Sequence, residues 1–134
     1  MVRALAAWLA AFFFTQAVEV PIYVVALRRD AVAPDARPEA RSEADARSLL
    51  ALYVIGFGAS ALTHPIVWFV IPRLPFGSYV AMVACAEAFA VIVEGVYLRA
   101  LGVVSLRRGL LLSLLANAAS ASLGLACRAV FGAP

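Results

Sequence analysis

The chain has 134 residues, of which 65% are hydrophobic and only 14% are charged, with a formal net charge of +3. Soluble globular proteins have about 45–50% apolar and about 25% charged residues, and a soluble domain of this length could not remove so much apolar surface from water. The composition therefore excludes an ordinary cytosolic enzyme and a disordered chain. It predicts one integral membrane domain with the lipid bilayer as its surroundings.

The basic residues do not form a patch for nucleic acid. All eleven are Arg, and they are dispersed along the chain rather than gathered into a run. A nucleic-acid module carries its Lys and Arg clustered on one face or along one helix. We therefore expect no nucleic-acid partner.

Four continuous apolar segments are each long enough to cross the hydrocarbon core as a helix, which takes about 20 residues. They span about 4–27, 48–71, 76–98 and 109–131. The apolar residues do not alternate with polar ones, as they would in the strands of a membrane β-barrel. The sequence therefore predicts an all-α fold in which residues 1–134 form a four-helix transmembrane bundle.

The links between the segments differ in length and charge. Residues 28–47 form a polar loop with five Arg and five acidic residues, so its charges cancel. Within this loop, the stretch 37–47 fits either a short helix in water or a disordered segment. The links 72–75 and 99–108 are short, and the second holds three Arg.

The distribution of Arg predicts the orientation in the membrane, because cytoplasmic links carry an excess of Lys and Arg. The links 28–47 and 99–108 hold eight Arg, against Arg3, Arg73 and Arg128 on the opposite side. We therefore expect these two links to be cytoplasmic and both termini to lie outside. The expected location is a bacterial inner (cell) membrane.

Three acidic residues lie inside the apolar segments, namely Glu19 in the first, and Glu87 and Glu94 in the third. An ionisable residue near the bilayer centre costs about 2.5–3.5 kcal/mol on insertion scales. Glu87 and Glu94 are seven residues apart, which places them on one helix face that must point into the bundle. We expect Glu87 near the midplane with most of the cost, and Glu94 nearer the inner boundary and partly hydrated.

Two segments carry small and weakly polar residues along one helix face. These residues are Gly56, Ser60 and Thr63 in the second segment, and Ser113, Asn117 and Ser120 in the fourth. Such faces let membrane helices approach closely and share hydrogen bonds. The two sets match with a constant offset of 57, and Glu19 loosely matches Glu94. The pattern predicts two helical hairpins related as a parallel repeat about an axis along the membrane normal.

His64 is the single histidine of the chain. Metal sites need three or more His, Cys or carboxylate ligands, and no E-x-x-H or H-x-x-x-H spacing accompanies it. We therefore expect His64 to form a polar clamp with a glutamate, and we predict no cofactor. A monovalent or divalent cation at the acidic residues remains compatible with the pattern.

The intramembrane acids favour a small transporter or channel-like protein for a cation or a proton, working as a homo-oligomer or with partner membrane subunits. The candidate binding residues are Glu19, Glu87, Glu94 and His64, with Ser60, Thr63, Asn117 and Ser120 as their polar partners. One alternative is a structural or accessory subunit of a larger membrane complex, whose acids pair with a partner's helix. A third interpretation is an intramembrane metal-dependent enzyme, although the chain contains no catalytic motif such as G-x-S-x-G or H-E-x-x-H.

The Arg asymmetry gives a prediction about topology. An alkaline phosphatase fused after Pro134 is expected to be active, because this enzyme folds only outside the cytoplasm and eight Arg against three place the C-terminus there. A green fluorescent protein fused at the same position is expected to be dark when exported. The opposite pair of readouts would reverse the orientation.

Overall fold

A computed structural model describes the backbone of residues 2–31 and 38–131, and the side chains of residues 2–28 and 49–130. Within these ranges the chain forms four α-helices and no strand. They are α1 (Val2–Ala31), α2 (Pro38–Phe69), α3 (Tyr79–Ala100) and α4 (Leu106–Phe131). All four are long and apolar enough to span a membrane. The prediction of an all-α, four-helix integral membrane protein is confirmed.

The membrane-spanning parts of the helices correspond to the four apolar segments of the sequence. They comprise Val2–Arg28, Leu49–Arg73, Tyr79–Ala100 and Leu106–Val130. Pro21 and Pro65 lie within α1 and α2 without ending either helix. Both α1 and α2 therefore continue through their proline.

The first link is shorter than the expected polar loop 28–47. Helix α1 continues to Ala31, and α2 begins at Pro38, so the stretch 38–47 is helical and continuous with the second membrane span. Pro38 fits the first turn of a helix, where its missing N–H costs nothing, and no glycine interrupts the residues that follow it. Residues 38–47 are therefore helical as part of the long helix α2 rather than as a separate short helix, and 32–37 lie outside the described residues.

The turns at the two ends of the bundle are capped locally. A 3-10 turn (Ile71–Arg73) follows α2, and the Ser78 hydroxyl accepts a hydrogen bond from the Ala81 backbone N at 3.2 Å at the start of α3. Helix α3 ends before Gly102, whose φ of 71° is readily adopted only by glycine. We name the two ends of the bundle the Pro72 end and the Gly102 end.

The helices form a ring in chain order, in which each packs against its two neighbours and α1 closes against α4. Apolar side chains fill the ring toward the Gly102 end, where Tyr23, Leu27 and Leu98 are fully buried. Polar side chains occupy the next layer. The buried polar residues are Gln16, Glu19, Ser60, Thr63, Glu94, Ser113, Asn117 and Ser120.

Helices α3 and α4 approach most closely where two glycines face each other. A Cβ atom added to Gly109 would lie 2.7 Å from the carbonyl oxygen of Gly95, and one added to Gly95 would lie 3.0 Å from the backbone N of Leu110. Between α1 and α2, a Cβ atom on Gly56 would lie 3.1 Å from the Cβ atom of Tyr23. Small residues therefore set the spacing within both hairpins, as is common in membrane helices.

This contact gives a prediction about stability. Gly109→Ala is expected to lower the stability of the folded bundle by about 1–3 kcal/mol, because the added methyl group meets the backbone of α3, which cannot move aside without separating the helices. Thermal unfolding of the detergent-purified protein measures the change. Gly77→Ala is the matched control, since a Cβ atom there meets nothing within 4 Å. Equal unfolding temperatures for both variants would contradict the prediction.

Candidate functional site

One cavity of about 240 Å³ lies between the four helices, and all eight candidate residues line it. These residues are Glu19, Ser60, Thr63, His64, Glu87, Glu94, Asn117 and Ser120. A water molecule needs roughly 10–15 Å³ of such space, so the cavity has room for several water molecules or for a cation with part of its hydration shell. The acids therefore point into a shared space within a single chain.

Glu94, on α3, is the most extensively hydrogen-bonded side chain of this site. It is 1% exposed. Its Oε2 accepts hydrogen bonds from the Tyr23 hydroxyl (2.6 Å), the Ser113 hydroxyl (2.8 Å) and the Asn117 amide (2.7 Å). Its Oε1 accepts one from the Thr63 hydroxyl at 2.8 Å. The four donors come from the three other helices, and three of them share Oε2.

Glu19, on α1, is held in the same way by fewer donors. It is also 1% exposed. Its Oε1 accepts a hydrogen bond from the Ser120 hydroxyl at 2.6 Å, and its Oε2 accepts one from the Ser60 hydroxyl. Glu19 thus joins α1 to α2 and α4.

The two glutamates belong to one polar network. The Ser120 hydroxyl lies 3.0 Å from the backbone oxygen of Asn117, whose amide donates to Glu94. On the other side, the Thr63 hydroxyl lies 3.2 Å from the backbone oxygen of Ser60. Every donor that the structure gives to the two carboxyl groups is a neutral hydroxyl or amide.

The hydrogen bonds follow the repeat that the sequence spacing predicts. With the offset of 57, Ser60 corresponds to Asn117, and Thr63 corresponds to Ser120. Glu19 and Glu94 each accept one hydrogen bond from the first of these positions in their own hairpin and one from the second position in the other hairpin. This exchange between hairpins is what a two-fold axis along the bundle would produce.

The two halves differ in the additional donors around Glu94. The position equivalent to Ser113 is Gly56, which has no side chain to donate. The position equivalent to Tyr23 is Leu98, four residues after Glu94 as Tyr23 is after Glu19. Both extra donors therefore serve one glutamate, and the two acids are not equivalent.

The expectation that Glu94 is partly hydrated was wrong. Glu94 is enclosed, whereas Glu87 is only half-buried and accepts no hydrogen bond from a described side chain. The cause is the close approach of Gly95 and Gly109, which brings α4 against α3 beside Glu94. Two turns further toward the Pro72 end, this constraint is absent, and space opens beside Glu87.

The expected clamp between His64 and a glutamate was also wrong. The His64 ring stacks on Trp68 at a centroid distance of 6.2 Å, meets the Phe12 ring edge-on at 5.3 Å, and lies 6.2 Å from the Trp8 ring. Its Nδ1 atom has no hydrogen-bond partner among the described residues. Hydroxyl and amide groups already serve the buried carboxyl groups, so His64 packs in an aromatic cluster that borders the cavity.

Apart from the His64 ring, the side-chain groups of the cavity that could bind an ion are oxygen ligands. Carboxyl, hydroxyl and amide oxygens suit protons and hard cations better than soft transition metals. Within residues 2–28 and 49–130, no three His, Cys, Asp or Glu side chains gather closely enough to hold a metal ion. The metal-dependent enzyme therefore has no ligand set in the part of the chain whose side chains are described.

A larger groove of about 800 Å³ runs from the cavity toward the Pro72 end, between α2, α3 and α4. Cavity and groove share the lining residues Val67, Trp68, Ala86, Glu87, Ala121 and Gly124. The two spaces are therefore continuous, and Glu87 stands at their junction. Arg128 lines the groove in the last turn of α4.

Tyr23 is a member of the site that was not predicted from the sequence. Tyr23 follows Glu19 by one helical turn and so lies on the same face of α1, which was the available signal. It donates to Glu94 rather than to Glu19. The choice between the two acids depends on where α1 and α3 lie across the bundle from each other, which spacing along one helix does not contain.

Comparison with known proteins gives no relative from which a function could be inferred. No protein-family model, no curated protein and no solved structure matches the chain. The function is therefore inferred from the residues of the cavity and the groove.

The network gives a prediction about Tyr23. Tyr23→Phe is expected to lower the stability of the bundle by about 1–2 kcal/mol, because it removes one donor to the buried Glu94 carboxyl and leaves the ring in place. Tyr53→Phe is the matched control, since Tyr53 is 51% exposed. Thermal unfolding in the same detergent measures both. A loss of equal size in the two variants would mean that the Glu94 contact contributes nothing.

Proposed function

We propose that the protein is a small membrane transporter or channel-like protein for protons or cations, with Glu19, Glu87 and Glu94 as the groups that bind the moving ion. The observation that carries the proposal is the convergence of three acids and their polar partners on one cavity within a single chain. Ionisable residues that face a cavity inside a membrane bundle are typical of ion pathways.

The charges of the site favour a positive ion. The described donors to Glu19 and Glu94 are neutral groups, which hydrogen-bond to a carboxyl without supplying positive charge. A buried carboxylate without a cationic partner is costly in a low-dielectric interior. A proton or a bound cation would supply the missing charge, whereas an anion would be repelled by three acids.

The shape of the interior favours alternating access over an open pore. The groove reaches the cavity from the Pro72 end and passes Glu87. Toward the Gly102 end, the interior is filled by the apolar core around Leu27, Leu52 and Leu98. A pathway open at one end is the arrangement of a carrier that opens to the two sides in turn.

The inward orientation of the acids also bears on the alternatives. An accessory subunit whose acids pair with a partner's helix would present them on its outer surface, whereas Glu19 and Glu94 are enclosed. A structural role within the chain is the second candidate for Glu94, because its four donors tie three helices to α3.

We expect the protein to work as a homo-oligomer or with partner membrane subunits, since four helices leave little room for two gates.

The test uses purified protein in liposomes that contain a pH-sensitive dye. With an imposed pH or sodium gradient, the wild-type protein is expected to carry flux above that of empty liposomes. Glu87→Gln is expected to lower the flux about tenfold or more with unchanged thermal stability, because the amide keeps the shape and loses the charge. Cys85→Ala, an exposed position two residues away on α3, is the matched control.

Three outcomes separate the candidates. Equal leakage of wild-type and empty liposomes would overturn the transport function. Full flux in Glu87→Gln would remove this residue from the pathway. Full flux with reduced stability in Glu94→Gln would assign Glu94 a structural role alone.

A further inference from the structure

We infer that the substrate is an organic cation with an apolar body, which lies in the groove and places its charge against Glu87. This inference names the substrate class of the proposed transport function and rests on it. It combines the lining of the groove, the position of its charges, its aromatic residues and its size.

The lining of the groove suits an apolar body. Most of it is hydrocarbon, contributed by Val67, Ile71, Val80, Met82, Val83 and Leu125 among others. An apolar substituent gains from the same surface, because contact with it removes hydrocarbon from water.

The charges of the groove lie at opposite places. Glu87 is at the inner end, at the junction with the cavity, while Arg128 is in the last turn of α4 and exposed. The long Arg side chain can extend toward the membrane surface and leave the interior of the groove to Glu87. A positive group that reaches the inner end therefore meets an acid, with Glu19 and Glu94 beyond it.

Two aromatic rings line the groove that contains this acid. Trp68 lines both the groove and the cavity, and Tyr79 lines the groove. The face of an aromatic ring attracts a cation, and attraction to ammonium groups with apolar substituents is a recurrent use of this interaction. Glu87 and Trp68, which both line the junction of cavity and groove, therefore offer a charge and a ring to the positive centre and the apolar groups around it.

The two spaces differ in the size of the ligand they can hold. The groove, at about 800 Å³, falls in the range of about 300–1,000 Å³ found for pockets that hold drug-sized ligands. The cavity, at about 240 Å³, falls below that range. The body of such a cation thus stays in the groove, and only its charged part approaches the junction.

The experiment uses two probes of the same shape and opposite charge, tetraphenylphosphonium and tetraphenylborate. Each is equilibrated with the full-length protein in detergent, and binding is measured by equilibrium dialysis against protein-free micelles. We expect saturable binding of the phosphonium cation and none of the borate anion. Glu87→Gln is expected to weaken phosphonium binding about tenfold or more, whereas Arg128→Gln should bind it at least as tightly as the wild type.

The outcomes distinguish this inference from the proposed function. Non-saturable uptake of both probes, or equal affinity in Glu87→Gln and in the Cys85→Ala control, would overturn the inference. Saturable borate binding that Arg128→Gln weakens would assign the groove to an anion and also overturn it. Proton or sodium flux in liposomes without phosphonium binding would overturn the inference and leave the proposed function standing. Glu87-dependent phosphonium binding without any flux would support the site and contradict transport.

Discussion

The carboxyl group of Glu94 is the point on which the bundle depends, because it accepts hydrogen bonds from all three other helices. Membrane helices gain no hydrophobic free energy by leaving lipid for one another, so close packing and polar contacts hold them together. Close packing and polar contacts act together at Glu94. The facing glycines Gly95 and Gly109 bring α4 against α3, and this short distance lets Ser113 and Asn117 reach the carboxyl.

The two hairpins share this hydrogen-bond pattern and differ in what fills the space beside it. The position equivalent to Glu87 in α1 is Phe12, and the position equivalent to His64 in α4 is Ala121. Phe12 and His64 pack together with a centroid distance of 5.3 Å and close the side between α1 and α2. Ala121 is small, so the corresponding side between α3 and α4 stays open beside Glu87. Aromatic rings thus fill the space beside the network in the first hairpin, and the corresponding space in the second hairpin continues into the groove.

The sequence predicted the features that depend on spacing along one helix, and missed those that depend on distances between helices. Continuous apolar runs gave the four spans, and the offset of 57 matched the positions that donate to Glu19 and Glu94. The enclosure of Glu94 was not predicted, because an insertion scale considers position along a span, while burial within the bundle follows the Gly95–Gly109 contact. The predicted pairing of His64 with a glutamate failed for a related reason. Hydroxyl and amide donors from other helices already bind the carboxyl groups, and His64 packs against aromatic rings instead.

The unequal donors assign different tasks to the acids within the proposed function. Hydrogen bonds between membrane helices contribute about 0.6 kcal/mol each on average, so the four donors to Glu94 offset about 2.4 kcal/mol and the two donors to Glu19 about 1.2 kcal/mol. A buried charge costs about 2.5–3.5 kcal/mol. The donors to Glu94 therefore cover most of this cost, and those to Glu19 cover a smaller part of it. Glu19 and Glu87 are then the acids that depend most on an added proton or cation, while Glu94 depends on it least and also holds together the helices that surround them.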